Sequence, residues 1–276
     1  MVYGKIILFG EHSVVYGKNA IAMLMKGVNL KAEIILKKVK ESKHVSDIKE
    51  YIKSKYGIEE DIYIDIISTI PSGSGLGSSA ALAIAIAKAF KKKYGLNKED
   101  VKNIVWESER RAHGNPSGID IAVILNNENV LFNKQDGVRK IEFNLGAKLV
   151  IANSGLKGVT REAVAMVAEN YDEFKVYIDN LGDIANKAIK ALEEKDIFFL
   201  GELMNLAQVN LKSMNLSNDK LEKLINVAKN NSLGAKITGA GLGGCIISLV
   251  KTKDEANYLK KLLIKEGAKN VWLEDI

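Results

Sequence analysis

Residues 68–81 read STIPSGSGLGSSAA and separate an alternating apolar segment from an alanine-rich one. Three glycines, one proline and several serines predict a loop, because glycine adopts backbone conformations that other residues avoid. Residues 78–94 follow with apolar side chains about one turn apart, such as Leu82 and Ile86, which predicts a helix. Backbone N–H groups converging at the positive end of a helix dipole would together hold an anion.

A flexible turn is the simpler interpretation of this glycine loop, although a turn needs only one or two glycines. The loop lacks the Gly-Lys-Ser/Thr ending of the P-loop, so that class of phosphate site is excluded. Ser78 or Ser79 could cap the helix that follows. The residues alone favour an anion cradle and leave the turn open.

A second glycine cluster, GAGLGG at residues 239–244, matches the dinucleotide pattern G-x-G-x-x-G. A dinucleotide site needs a strand, a turn and then a helix, whereas residues 245–250, CIISLV, continue as a strand. The cluster therefore joins two strands. It is either a plain hairpin or a backbone wall pressed against a ligand.

Composition narrows the class of protein. The chain has 276 residues and is 47% hydrophobic, which is enough for a substantial core. A net charge of +6 suits an anionic ligand, but the lysines lie on helix faces without interleaved aromatics, which disfavours nucleic acid. No run of eighteen apolar residues and no export pattern are present, so we expect a cytoplasmic protein without a membrane partner. The single cysteine, Cys245, is expected in the core.

The order of elements predicts an α+β fold in two domains, residues 1–150 and 151–276. Strands are expected at residues 5–9, 20–25, 30–37, 62–68, 118–126, 130–133, 138–143 and 148–152. Helices are expected at residues 45–56, 78–94, 97–112 and through most of 160–231. The tail is expected to form a hairpin, a helix and a closing strand.

Two carboxylates stand out in this pattern. Glu109 lies at the margin of the apolar face that Val101 and Ile104 mark, so it could face a cleft or form a surface ion pair with Arg110. Asp120, in the expected strand at residues 118–126, would point away from its apolar neighbours. The residues alone are compatible with a strand-edge carboxylate paired with a surface lysine.

Three stretches together resemble the signature motifs of the GHMP kinases: GKIILFGEHSVVYGKNAIA (4–22), PSGSGLGSSAA (71–81) and GAKITGAGLGGCIISL (234–249). Residues 10–22, ESERRAHGNPSGID (107–120) and NSGLKGVTREAVAMV (153–167) are similar to the branch of that family that phosphorylates mevalonate. The resemblance implies the two-domain GHMP kinase fold with an active-site cleft between the domains. It also implies ATP and Mg²⁺ as cofactors and mevalonate as substrate. Tyr3 departs from the family, which has proline there.

The resemblance also implies roles for individual residues. Asp120 matches the catalytic aspartate that takes or directs the proton of the substrate hydroxyl, and Lys5 matches the lysine that lowers the pKa of that hydroxyl. Substrate-binding positions are matched by Glu11, His12, Ser117 and Thr160. Mg²⁺ ligands are matched by Ser79 and Glu109. ATP-binding positions are matched by Pro71, Ser72, Gly73, Ser74, Gly75, Leu76, Gly77, Ser78, Ser79, Ala80, Ala81, Gly239, Ala240 and Gly241.

Simpler roles stay open for several of these residues. Lys5 could be an exposed strand residue, His12 a structural histidine and His113 a loop-shaping residue. The protein could instead be a GHMP kinase that phosphorylates phosphomevalonate or a sugar. It could also be an inactive regulator that binds a small anion. A homodimer is also open, since dimers are common among such kinases.

Overall fold

The computed structural model describes residues 1–114 and 116–276, except for the side chain of His113. The expected role of that side chain and the motif position Asn115 therefore lie outside the described residues. The strands are β1 (Val2–Phe9), β2 (Ala20–Ile35), β3 (Tyr63–Ser68), β4 (Val130–Asn133), β5 (Gly137–Lys140), β6 (Lys148–Asn153), β7 (Gly234–Thr238), β8 (Cys245–Val250) and β9 (Asn270–Asp275). The helices are α1 (Lys43–Tyr56), α2 (Ser78–Tyr94), α3 (Lys98–His113), α4 (Ile119–Asn126), α5 (Thr160–Glu169), α6 (Tyr171–Glu194), α7 (Ile197–Ser213), α8 (Asp219–Lys229) and α9 (Lys253–Lys265).

The first half of the chain forms an antiparallel sheet in the order β1-β2-β4-β5, with β3 also paired to β2. Two strands expected at residues 20–25 and 30–37 are one strand, β2. The exposed Lys26 and Gly27 interrupt its apolar pattern, yet β1 pairs with both parts of it across a register shift at Tyr3 and Gly4. Strand β5 is also shorter than the expected strand at residues 138–143. It ends at Lys140, and all four of its residues are exposed.

The strand expected at residues 118–126 is wrong: Asp120 lies in the first turn of helix α4. This helix follows Gly118, whose φ of +89° is left-handed, and is buried on nearly every side. A short helix that is apolar all round shows neither the period of a helix nor that of a strand. The cap expected from Ser78 or Ser79 is wrong too, since Gly77 occupies that position and no side chain caps α2.

The second half forms an antiparallel sheet in the order β7-β8-β6-β9, with helices α7, α8 and α9 packed against it. Helix α6 packs on α7 and on β1 and β2 of the first half, and α5 contacts α6. The expected hairpin, helix and closing strand are confirmed as β7, β8, α9 and β9. Cys245 is fully buried in β8, as expected for a core residue. Within the described residues, no helix has the length and apolar character needed to span a bilayer.

The two halves are joined where β1 meets β7. The Oγ1 atom of Thr238 accepts a hydrogen bond from the Ile7 amide at 3.0 Å and donates one to the Ile7 carbonyl at 2.9 Å. Away from this contact, Glu274 of β9 accepts a hydrogen bond of 2.6 Å from the Gly27 amide of β2. We propose that the domains divide between β5 and β6, close to the boundary at residue 150 expected from the sequence.

Replacing Thr238 by valine should destabilise the fold by about 2–4 kcal/mol, because the Ile7 amide and carbonyl would both be buried without partners. The measurement is urea unfolding followed by circular dichroism. Ser248→Ala is the matched control, since the buried Ser248 hydroxyl has no hydrogen-bond partner among the described residues. Equal unfolding midpoints for the two variants would contradict the structural role of Thr238.

Candidate active site

A cavity of about 890 Å³ lies between the two halves of the molecule. The first half contributes β1, the glycine loop and the start of α4 to its wall. The second half contributes residues 157–161 and the Gly239–Ala240 backbone. The polar residues expected to share a site are thus brought to one place from distant parts of the chain.

Lys5 and Asp120 form an ion pair inside this cavity, with 2.9 Å between Nζ and Oδ1. The Lys5 side chain is 3% exposed and that of Asp120 is 31% exposed. Lys5 is therefore not an exposed strand residue, and Asp120 is not a strand-edge carboxylate paired with a surface lysine. The pair presents a carboxylate, fixed by a buried cation, to whatever occupies the cavity.

The glycine loop is packed against both halves and is not a free turn. Gly73, Gly75 and Gly77 all have left-handed backbone conformations, and the Leu76 carbonyl accepts a 3.0 Å hydrogen bond from the Lys5 amide. A Cβ atom on Gly77 would lie 2.8 Å from Ile124 and 3.0 Å from the Lys5 side chain. The loop leads into the uncapped amino end of α2, and that helix end lines the cavity. This arrangement suits an anion.

Ser79 and Glu109 meet beside the loop, where the Ser79 hydroxyl donates a 2.5 Å hydrogen bond to Glu109 Oε1. Glu109 is 3% exposed. Burial raises its pKa to about 7, and the nearby Asp120 carboxylate adds to the rise, while the Ser79 hydrogen bond and Lys5 oppose it. A hydroxyl and a buried carboxylate are hard oxygen donors that fit Mg²⁺. Within the described residues, no cluster of three or more His, Cys, Asp or Glu is suited to a metal. Phosphate and water oxygens are the ligands that would accompany two protein oxygens around Mg²⁺.

Glu11 and His12 form another part of the cavity wall, next to the second glycine cluster. His12 Nε2 lies 2.9 Å from the Ala240 carbonyl, to which it donates in the matching tautomer, and burial lowers the pKa of the ring. His12 therefore has a structural contact as well as a place in the wall. The Glu11 carboxylate pairs with Lys236, a residue that the sequence reasoning missed. A lysine within an otherwise apolar strand was the available signal.

The remaining predicted residues divide into two groups. Those that line the cavity are Ser72, Gly73, Gly75, Ser78, Ser117, Thr160, Gly239 and Ala240, together with Gly77 and Ser79. Those that lie behind its wall are Pro71, Ser74, Leu76, Ala80, Ala81 and Gly241. Gly241 packs on the Leu216 carbonyl, since a Cβ atom on it would lie 2.4 Å from that oxygen.

The second glycine cluster is mainly a packing surface for the first. A Cβ atom on Gly244 would lie 2.7 Å from the Ser74 carbonyl, and one on Gly239 would lie 3.5 Å from Gly75. Only Gly239 and Ala240 of this cluster line the cavity. A backbone wall against a ligand stays a prediction for Gly239 and Ala240, while close backbone packing explains Gly244.

Sequence reasoning also missed parts of the cavity. Lys157 and Arg161 line it and lie within the quoted stretch 153–167, which was a usable signal. Residues from β2, from β3 and from the segment before α1 also line it, among them Leu30, Val39 and Ile64. Nothing in the sequence marks these three residues, because they come from separate segments that only the folded chain brings together.

Comparison with known proteins shows which family this chain is similar to. Residues 43–128 match the GHMP kinases N terminal domain, and residues 188–268 match the GHMP kinases C terminal domain. The chain is 34% identical to mevalonate kinase of Pyrococcus abyssi, over 93% of this chain and 90% of that one. The L. major mevalonate kinase, solved in complex with R-mevalonate, is 26% identical, with a TM-score of 0.82 over 99% of this chain and 93% of that one. The Methanococcus jannaschii mevalonate kinase is also 26% identical, with a TM-score of 0.78 over 100% and 97% of the two chains.

Gly77→Ala should weaken the binding of tripolyphosphate by about 10-fold or more, because the added methyl group displaces Lys5 and the loop at the anion site. Isothermal titration calorimetry measures this binding. Gly95→Ala is the matched control: Gly95 has a similar φ of +73° but open space around it. Backbone strain alone would weaken the fold in both variants, so equal anion affinities would refute the close-contact argument.

Glu109→Gln should stabilise the protein more at pH 8 than at pH 5. The raised pKa means that the folded state binds more protons than the unfolded state between pH 4.5 and about 7, so wild-type stability falls as pH rises through that window. The glutamine variant lacks this loss, so by pH 8 its free energy of unfolding should exceed that of the wild type by about 3 kcal/mol at most. Urea unfolding at both values measures it.

The exposed Glu59→Gln change serves as the control for this pH dependence. It should alter stability by the same small amount at pH 5 and pH 8. A Glu109→Gln effect that does not change with pH would show that burial does not shift the titration of Glu109.

Proposed function

The chain belongs to the GHMP kinase family and to the mevalonate kinases within it. We propose that the residues of the cavity transfer the γ-phosphoryl group of ATP to mevalonate, each in the role given below. The products are 5-phosphomevalonate and ADP. The observation that carries the proposed roles is the Lys5–Asp120 pair, which shares one cavity with the glycine loop. An acceptor alcohol and a triphosphate can meet there.

Asp120 is the group that receives or directs the proton of the mevalonate hydroxyl. The hydroxyl oxygen forms a bond to the γ-phosphorus while the bond from that phosphorus to the β,γ-bridging oxygen breaks, and ADP leaves. Lys5 holds the Asp120 carboxylate in place at 2.9 Å and contributes positive charge beside the reacting oxygen. Because Lys5 is almost fully buried, water screens this charge weakly.

The glycine loop and the amino end of α2 bind the phosphates. Phosphoryl transfer depends mostly on positioning and on neutralising charge, which backbone N–H groups and a helix dipole supply. Ser79 and Glu109 would hold Mg²⁺, which supplies positive charge to the phosphate oxygens. Lys157 and Arg161 line the same cavity and add to its positive potential.

The substrate pocket is formed by Glu11, His12, Ser117 and Thr160, all of which line the cavity. Solved structures of a phosphomevalonate kinase and a galactokinase are 18% and 19% identical to this chain and share its fold alone. The relatives that are 33–34% identical to this chain are mevalonate kinases, which favours mevalonate over these acceptors. An inactive regulator is disfavoured because the ion pair, the loop and the buried carboxylate are all in place.

A homodimer and a cytoplasmic location, both expected from the sequence, stay predictions. The free and fully buried Cys245 is compatible with a reducing compartment. Sedimentation velocity would decide between monomer and dimer.

Asp120→Asn should lower kcat with mevalonate by roughly 10²- to 10⁴-fold, because the amide cannot accept the hydroxyl proton. The measurement is ADP release with ATP, Mg²⁺ and mevalonate, and ATP affinity should change little. Asp183→Asn, an exposed aspartate of α6, should leave kcat unchanged. Full activity of a folded Asp120→Asn variant would remove Asp120 from the mechanism.

A panel of acceptors tests the substrate itself. Wild-type protein should phosphorylate mevalonate in preference to phosphomevalonate and galactose. Turnover of another acceptor without turnover of mevalonate would overturn the substrate assignment.

A further inference from the structure

Lys236 is a fully buried lysine that the mechanism above does not use. It lies in the middle of β7, and its Nζ donates to Glu11 Oε1 and, at 2.9 Å, to the Ile237 carbonyl. The same nitrogen is 5.9 Å from the centre of the Phe9 ring. Lys236 does not line the cavity, so it does not touch a substrate there.

Its partner Glu11 does line the cavity, and one of its oxygens is unused. Glu11 is 1% exposed, Oε1 is held by Lys236, and Oε2 has no hydrogen-bond partner among the described residues. A buried carboxylate oxygen without a partner is costly, which points to a ligand group that completes it. A substrate hydroxyl would do so.

The other buried Lys–Glu pair near the cavity shows the contrast. Lys49 donates a 2.6 Å hydrogen bond to Glu41 Oε2, and the Ile64 amide donates one of 2.6 Å to Glu41 Oε1. Both oxygens of Glu41 are therefore satisfied within the protein. Glu11 differs because only one of its oxygens has a partner.

We propose that Lys236 is a positioning residue, which holds the Glu11 carboxylate so that Oε2 accepts a hydrogen bond from a hydroxyl of the acceptor substrate. This inference rests on the proposed function, since it concerns the same cavity. Lys236 and Thr238 are two residues apart in β7, so their side chains lie on the same face of the strand. The contact of Thr238 with Ile7, which joins the halves, therefore also fixes the position of Lys236 relative to Glu11.

Charge supports this arrangement. Burial raises the pKa of Glu11, and the ammonium groups of Lys236 and, farther away, Lys5 oppose that rise. His12, the next residue along the chain, adds no charge, because burial lowers its pKa. Among the groups that oppose the rise, Lys236 has the largest effect, although burial also lowers the pKa of Lys236 itself.

A double-mutant cycle tests the proposal with four proteins: wild type, Glu11→Gln, Lys236→Met and the double variant. Lys236→Met should raise KM for mevalonate about 10-fold while kcat and KM for ATP stay within about threefold, as expected for lost substrate binding. Glu11→Gln should raise KM for mevalonate as well. In the Glu11→Gln background, Lys236→Met should add no further increase.

Lys49→Met is the matched control, since it removes a buried lysine from a fully satisfied pair. It should lower the unfolding temperature and leave KM for mevalonate unchanged.

Three results would overturn the proposal: no change of KM in Lys236→Met, no change in Glu11→Gln, or additive changes in the double variant. If Lys236→Met fails to fold, the double variant, with a neutral pair, is compared with Glu11→Gln alone; equal KM values support the proposal and unequal values refute it. Wild-type turnover of mevalonate is measured first. If wild type uses another acceptor, the function assignment fails and the cycle with that acceptor decides the role of Lys236.

Discussion

The contact between β1 and β7 is the constraint on which the site depends. Thr238 satisfies both the amide and the carbonyl of Ile7, and Lys236, two residues earlier, pairs with Glu11 beyond the end of β1. Because β1 also carries Lys5, this contact ties the catalytic pair to the second half of the molecule. Rigid strands on both sides hold the position better than loops would.

The two glycine clusters serve the same end by allowing backbones to approach closely. Gly77 lets Lys5 pass beside the loop, and Gly244 lets the hairpin lie against Ser74. A side chain at either position would push apart the surfaces that enclose the cavity. Glycine is therefore required here for packing between segments as well as for backbone conformation.

Three buried or half-buried carboxylates around the cavity differ in how they are satisfied. Asp120 is partly exposed and fixed by Lys5, so it is accessible from the cavity. Glu109 is buried against the Ser79 hydroxyl, and burial raises its pKa to about 7, which suits a carboxylate that awaits a cation. Glu11 has a cation on one oxygen and nothing on the other among the described residues. These environments assign three different tasks to chemically similar groups.

The sequence by itself determined the elements whose signals are local. The apolar period of α2 and the glycine-rich hairpin were both readable, because periodicity and turn chemistry act over a few residues. Motif resemblance added the family and many, but not all, of the residues that line the cavity.

Only the tertiary structure decided what depends on long-range contacts. Residues 119–126 form a helix and not a strand, since burial on nearly every side leaves no periodic pattern. Residues 20–35 form one strand because β1 continues to pair with it. The pairing of Lys236 with Glu11 joins residues 225 positions apart, and no local rule relates them. Burial and charge pairing at such separations are properties of the folded chain.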